Sequence, residues 1–247
     1  MFLAVDIGNS AIKFGLFDGD ILSSKFSIPT KRDASADEIK LAVGDRLCSP
    51  IEAAIVCSVV PEIEAAMREF LNGSAKTESI FVNNSFDFGL KIDYEPLDGL
   101  GTDRLVAAFA AVEKYGAPCI VCSFGTATTI DVVSADREFL GGVIAPGLNA
   151  MVEALHLKAA RLPRVEIERP AHMLGHSTAE SIRSGVYHGY AAMVEGLITR
   201  MRTEAAISRI VGTGGNLEIV SSELVGLVTV DENLLLDGLR MLKKMTG

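Results

Sequence analysis

A strand, a glycine turn and a second strand follow one another twice in this sequence, and the distance between the two copies restricts the fold more than composition does. The first copy is Asp6-Ile7-Gly8-Asn9-Ser10, at the end of the apolar run 2–7; the second, in altered form, is Ser123-Phe124-Gly125-Thr126-Ala127, after the apolar run 119–123. A spacing of about a hundred residues is too long for a solenoid repeat and is the size of a lobe. Strands alternate with helices around each copy, which argues for α/β layers. The first half predicts strands at 2–7, 11–17, 21–27, 53–59 and 80–82, with helices after Ser35, over 61–71 and over 103–114. The second half predicts strands at 119–123, 128–133, 139–144, 209–212 and 225–230, and helices over 148–158, 178–205 and 234–244. Local chemistry supports these limits. Asp18-Gly19 is a hairpin signal, Ser35 with Glu38 a capping box, and Pro61 suits a first helical turn. No low-complexity linker divides the chain, so two lobes, 1–115 and 116–247, are expected to pack with a cleft between them. With 247 residues, 49% of them hydrophobic, there is enough apolar surface for such a core.

Each turn has a chemical reading beside a plainer one. Glycine between polar residues lets backbone N–H groups approach a phosphate, and Asn9, Ser10 and Lys13 add side-chain donors. Asp6 at a strand end can hold Mg²⁺ directly or through water. The plainer reading is a tight turn rich in Asp and Asn. Gly125, Thr126 and the threonines that follow repeat the phosphate pattern, or are simply a Thr-rich strand. Gly214-Gly215, after the strand 209–212, leaves room for a flat base against the backbone. Gly101-Thr102-Asp103-Arg104 opens a helix: Asp103 either caps it or accepts a proton from an attacking hydroxyl, and Arg104 can fork onto a substrate carboxylate.

Several classes are disfavoured. GxxxxGK[ST] and GxGxxG are both absent, so neither a P-loop nor a dinucleotide fold is supported. A net charge of −9 with no basic cluster disfavours nucleic-acid binding. No segment reads as a membrane span or signal peptide, so a soluble, cytoplasmic protein is expected. Cys119 and Cys122 have CxxC spacing but lie in a strand, where residues three apart face opposite sides; with Cys48 and Cys57 they are expected to be buried, inert thiols. His156, His172, His176 and His188 show no metal-ligand spacing.

Two phosphate-type hairpins and a late Gly-Gly together resemble the actin-like (ribonuclease H-like) superfamily of acetate kinases, sugar kinases, Hsp70 and actin, whose two lobes are duplicated mixed β-sheets flanked by helices. Within it the chain resembles the type III pantothenate kinases over nearly its whole length. The matching segments are 6–10, 57–61, 101–104, 124–129, 141–147 and 178–185. The resemblance implies ATP-dependent phosphorylation of pantothenate, the first step of coenzyme A synthesis. It also implies Mg²⁺, a monovalent cation such as K⁺ or NH₄⁺, and a homodimer that completes the substrate pocket. Carried over residue by residue, Asp6, Gly8, Asn9, Ser10 and Lys13 hold the phosphates and the metal, and Gly125, Thr126, Gly214 and Gly215 contact the nucleotide. Asp103 is the proton acceptor, and Tyr94, Gly101, Thr102, Arg104 and Thr178 line the pantothenate pocket. The apolar stripe Ile182, Val186, Tyr190, Val194, Leu197 and Met201 is either the dimer face or core. One position departs: the family's monovalent-cation ligand is an aspartate where this chain has Ser123. A hydroxyl brings no charge, so the cation requirement is expected to be reduced. The departure keeps two alternatives open, a catalytically weakened paralogue acting as a transcription accessory factor and a kinase of another small hydroxy acid.

Overall fold

The structure, a computed structural model, describes residues 1–47, 50–75, 78–224 and 229–245. In chain order the main elements begin with β1 (Phe2–Ile7), β2 (Ala11–Asp18), β3 (Ile21–Pro29), α1 (Ala36–Val43), β4 (Ala53–Ser58), α2 (Pro61–Phe70) and β5 (Glu78–Phe81). Next come β6 (Lys91–Ile92), α3 (Thr102–Tyr115), β7 (Cys119–Phe124), β8 (Ala127–Val133), β9 (Glu138–Pro146), α4 (Leu148–Lys158) and α5 (Thr178–Ala205). The last are β10 (Ile210–Thr213), α6 (Leu217–Val220), β11 (Thr229–Val230) and α7 (Leu234–Met245). Ser35 caps α1 in a full capping box, as its spacing to Glu38 requires. Of the strand expected at 225–230, residues 225–228 lie outside the described residues, as does Cys48.

Two mixed sheets carry the fold, and their strand orders show the duplication directly. The first runs β3-β2-β1-β4-β5, the second β11-β10-β7-β8-β9-β6. In both, three antiparallel strands from one meander are extended by two parallel strands beyond the first of the three. Thus β1 to β5 correspond in order and direction to β7 to β11, with β6 added in parallel at the edge of β9. By this correspondence Asp6, one residue before the end of β1, is the counterpart of Ser123, one residue before the end of β7.

The compact units are not simply the two halves of the sequence. One comprises Met1–Gly89, Glu95–Ala110 and Asn233–Gly247; the other comprises Leu90–Tyr94 and Ala111–Glu232. The first has a core of Leu3, Val5, Ile7, Phe14, Val56, Ile63 and Met67 between its sheet and α1 and α2. The closing helix α7 packs on β1, β2 and β4 of this same unit. Gly238 lets the same helix approach α3, since a Cβ there would come within 3.0 Å of the Val106 carbonyl. In the second unit Ile120, Cys122, Phe124, Ile130, Tyr187, Tyr190 and Val194 are among the core residues. The α5 stripe is settled here as core: Ile182, Val186, Tyr190 and Val194 are buried, and Leu197 and Met201 pack against the same cluster. It is therefore no argument for a dimer face.

Candidate active site

In the first unit, the loop Gly8-Asn9-Ser10 joins β1 to β2 and is closed by the Gly8 N–H donating to the Ala11 carbonyl at 3.1 Å. Two of its own carbonyls, those of Gly8 and Ser10, are turned back onto the protein. Thr30, just beyond β3, donates its hydroxyl to the Gly8 carbonyl (2.6 Å) and its N–H to the Ser10 carbonyl (3.1 Å). An acceptor tied down in this way cannot repel an approaching phosphate, so the turn keeps its donor character. Asn9 at the tip is exposed. Its Oδ1 accepts from Arg32 Nη2 at 2.9 Å.

Below the loop lies a cluster of charged and ionisable groups. Asp6 and Lys13 are cross-strand partners, so their side chains share one face, with Lys13 Nζ 3.5 Å from Asp6 Oδ2. Asp6 is buried, 7% exposed. Burial pushes its carboxyl up from 3.8 to about 6, and the nearby charge of Asp103 adds to this while Lys13 opposes it. Asp103, in the first turn of α3, is also raised by burial; the Arg104 N–H donating to its Oδ1 at 2.9 Å and the Arg104 charge work against the rise. Cys57, beside Asp6 on β4, is raised by burial and then by Asp6 and Asp103. The cluster therefore holds one buried carboxylate, Asp6, and one half-buried, Asp103, with Lys13 and Arg104 as the nearby cations, an arrangement suited to receiving a further cation and a proton.

The loop before α3 is built around Asp103. Gly101 is needed there, since a Cβ would lie 2.5 Å from Asp103 Oδ1. Thr102 donates its hydroxyl to Asn84 Oδ1 at 3.0 Å, while Asn84 Nδ2 donates to the carbonyls of Leu97 (2.7 Å) and Leu100 (2.8 Å). Arg104 is itself buried, 5% exposed. Sequence reasoning missed Asn84, Thr30 and Arg32, because all three act on residues distant in the chain and no local spacing marks them.

The second unit clamps its own hairpin. The Gly125 carbonyl accepts from Asn216 Nδ2 (2.9 Å), the Phe124 carbonyl from the Asn216 N–H (3.0 Å), and the Thr126 carbonyl from the Gly147 N–H (3.1 Å). Gly214 has φ +103°, and a Cβ there would meet the Phe124 carbonyl oxygen at 2.5 Å. Next to it, Gly215 has nothing within 4 Å of where a Cβ would sit. The double glycine is thus split: one residue seats the hairpin, the other leaves open space. Ser123 pairs across the sheet with Thr129 on β8 and with Thr213 on β10. The Thr129 hydroxyl is buried without a hydrogen-bond partner. Asp131, two residues on, is 2% exposed, and only a glycine at 142 leaves room for its carboxylate.

Tyr94 and Thr178 also fall in the second unit. The Tyr94 ring lies over Gly141 and against Phe139. Thr178 starts α5 behind the Ser177 N-cap. With Ser181 it contributes hydroxyls to an apolar hollow of about 800 Å³ walled by Met151, Leu155, Ile182 and Val186 among others. The described cysteines are buried and free, Cys119 pushed up to about 11 mainly by burial.

The family model for type III pantothenate kinases matches residues 2–200. The chain belongs to the type III pantothenate kinase family. A relative of that name from Roseiflexus sp. (strain RS-1) is 37% identical over 252 residues, covering 99% of both chains. Another from Paramagnetospirillum magneticum is 38% identical, covering 97% of this chain and 95% of the relative. Among solved structures, one described as a Baf family transcriptional activator from Campylobacter jejuni superposes with a TM-score of 0.63 at 20% identity, covering 99% of this chain and 98% of the other. A ROK family glucokinase from Streptomyces griseus, in complex with glucose and AMPPNP, gives 0.56 at 14%, covering 99% and 98%. Likeness at such identities shows the fold alone, and the fold it shows is the actin-like one of duplicated mixed sheets flanked by helices. Type III members of this family therefore set the frame for the residues above. Among the described residues no helix is long and apolar enough to cross a membrane.

Proposed function

We propose that this family member transfers the γ-phosphoryl group of ATP to a hydroxyl of pantothenate, giving 4'-phosphopantothenate and ADP. The observation that carries the reading is the Asp6, Lys13 and Asp103 cluster under a turn whose Gly8 and Ser10 carbonyls are tied back, in a chain matching the family over nearly its full length. Phosphoryl transfer asks a protein mainly for positioning and charge stabilisation. Gly8, Asn9, Ser10 and Lys13 supply donors to the phosphates; Gly125, Thr126 and the open Gly215 contact the nucleotide, with Gly214 holding the hairpin. Asp103 accepts the proton of the attacking hydroxyl. Its burial makes it a stronger base than a solvated carboxylate. Thr102 is held by Asn84, and the Arg104 backbone N–H holds Asp103, while the Arg104 guanidinium lines the pantothenate pocket with Gly101, Tyr94 and Thr178.

The residues fit Mg²⁺ at Asp6. Its raised carboxyl marks a buried negative charge that Lys13 offsets only in part, and a divalent cation held by Asp6 would complete the neutralisation and supply positive charge against the phosphates. The monovalent-cation site fits less well. Ser123 and Thr129 offer hydroxyl oxygens, the latter unpartnered, but no aspartate at the family position. K⁺ or NH₄⁺ is therefore assigned a reduced role. A homodimer is proposed on family likeness, with the apolar hollow at the start of α5 as the face it completes. Turnover of ATP against a panel of hydroxylated acids tests the whole reading. Pantothenate is expected to be the preferred acceptor. Preference for another acid, or no consumption with any, would favour the two alternatives raised by Ser123.

A further inference from the structure

We propose that Arg32 is a positioning residue for the first phosphate turn: it forces the Asn9 amide to present its NH₂ group, not its oxygen, to the nucleotide. The inference rests on the kinase reading above. A guanidinium has donors and no acceptor, so the Asn9 atom facing Arg32 at 2.9 Å is the carbonyl oxygen by chemical necessity. The amide is rigid and planar, which directs Nδ2 away from Arg32. Without Arg32 the two amide orientations are free to exchange, and half of the possibilities aim a carbonyl oxygen at a phosphate. Arg32 is itself held by its second nitrogen, Nη1, 3.2 Å from Glu62 Oε1 near the start of α2. This ties the tip of the turn to α2. The pair is of the surface type, 60% and 52% exposed, and contributes little to stability. What it supplies is orientation. Together with Thr30, which turns the Gly8 and Ser10 carbonyls inward, Arg32 takes a further acceptor, Asn9 Oδ1, away from the phosphate.

The test is a thermodynamic cycle of Mg-ATP affinity, measured by calorimetry in wild type, Arg32→Met, Asn9→Ala and the double variant. Arg32→Met is expected to weaken ATP by about five- to ten-fold, the size of one net hydrogen bond, and to have no further effect once Asn9 is alanine. Arg32→Lys, which also only donates, is expected to recover part of the loss. Thermal midpoints of all variants are expected to stay close to wild type. Equal losses from Arg32→Met in both backgrounds would make Arg32 a direct phosphate ligand and overturn the inference, and so would unchanged affinity. A wild type that binds ATP but phosphorylates no pantothenate contradicts the functional reading while the cycle still decides on Arg32. A wild type that binds no ATP overturns both.

Discussion

At neutral pH the ionised carboxylate of Asp6 sits where burial favours the neutral acid. Its folded value of about 6 lies above its ordinary 3.8, so the folded chain binds more protons between these values and stability falls as pH rises through that window. Above about pH 6 the full penalty, on the order of 3 kcal/mol, is present. Asp6→Asn is therefore expected to raise the melting temperature of the metal-free protein at pH 7.5 and to lose that advantage near pH 4, while weakening Mg-ATP binding at pH 7.5, where wild-type Asp6 is ionised. A variant less stable at pH 7.5 would show that the Lys13 contact outweighs desolvation. Ser123, the counterpart of Asp6 in the second sheet, poses the opposite case, since it carries no charge to be offset. Activity is expected to depend only weakly on K⁺ at constant ionic strength, and Ser123→Asp to strengthen the dependence. A wild type silent without K⁺ and saturated at low K⁺ would point instead to Asp131, which lies two residues from Thr129 along β8.

At the scale of elements, the two hairpins matter through what clamps them. Gly214→Ala would place a Cβ 2.5 Å from the Phe124 carbonyl at a left-handed φ of +103°. It is expected to destabilise by about 2 kcal/mol or more, read as a lower melting temperature. Gly215→Ala meets no neighbour and is expected to leave the melting temperature unchanged while weakening ATP. If both variants behave alike, the division of labour within the pair is wrong. The elements themselves were legible from sequence because their signals are local: the apolar runs gave β1, β4 and β7, Ser35 with Glu38 gave α1, and Pro61 gave α2. The strand β6 was not legible, since Lys91 and Ile92 carry no alternating pattern and pair only with the edge of β9. The clamps were equally hidden. Asn84, Thr30 and Asn216 bond to chain that is remote in sequence, and nothing in spacing marks a side chain whose purpose is to occupy a carbonyl. The α5 stripe shows the converse: its helical period was plain, but period alone does not say which neighbour an apolar face meets.

For the whole molecule, duplication explains both the likeness of the sheets and the difference in their chemistry. One strand order is built twice, yet the carboxylate survives at Asp6 and is a serine at position 123. The chain's last helix returns to the first unit, where Gly238 lets α7 pack tightly on α3, the helix whose first turn carries Asp103. The proposed catalytic role falls on Asp103 of the first unit. The most direct test is Asp103→Asn, assayed for phosphopantothenate formation and, separately, for ATP affinity. Asparagine keeps the size of the side chain and can still accept the Arg104 N–H, so folding and ATP binding are expected to persist. Turnover is expected to fall by about two to four powers of ten. Near-normal turnover in that variant would contradict the account, leaving Asp103 as no more than a helix cap.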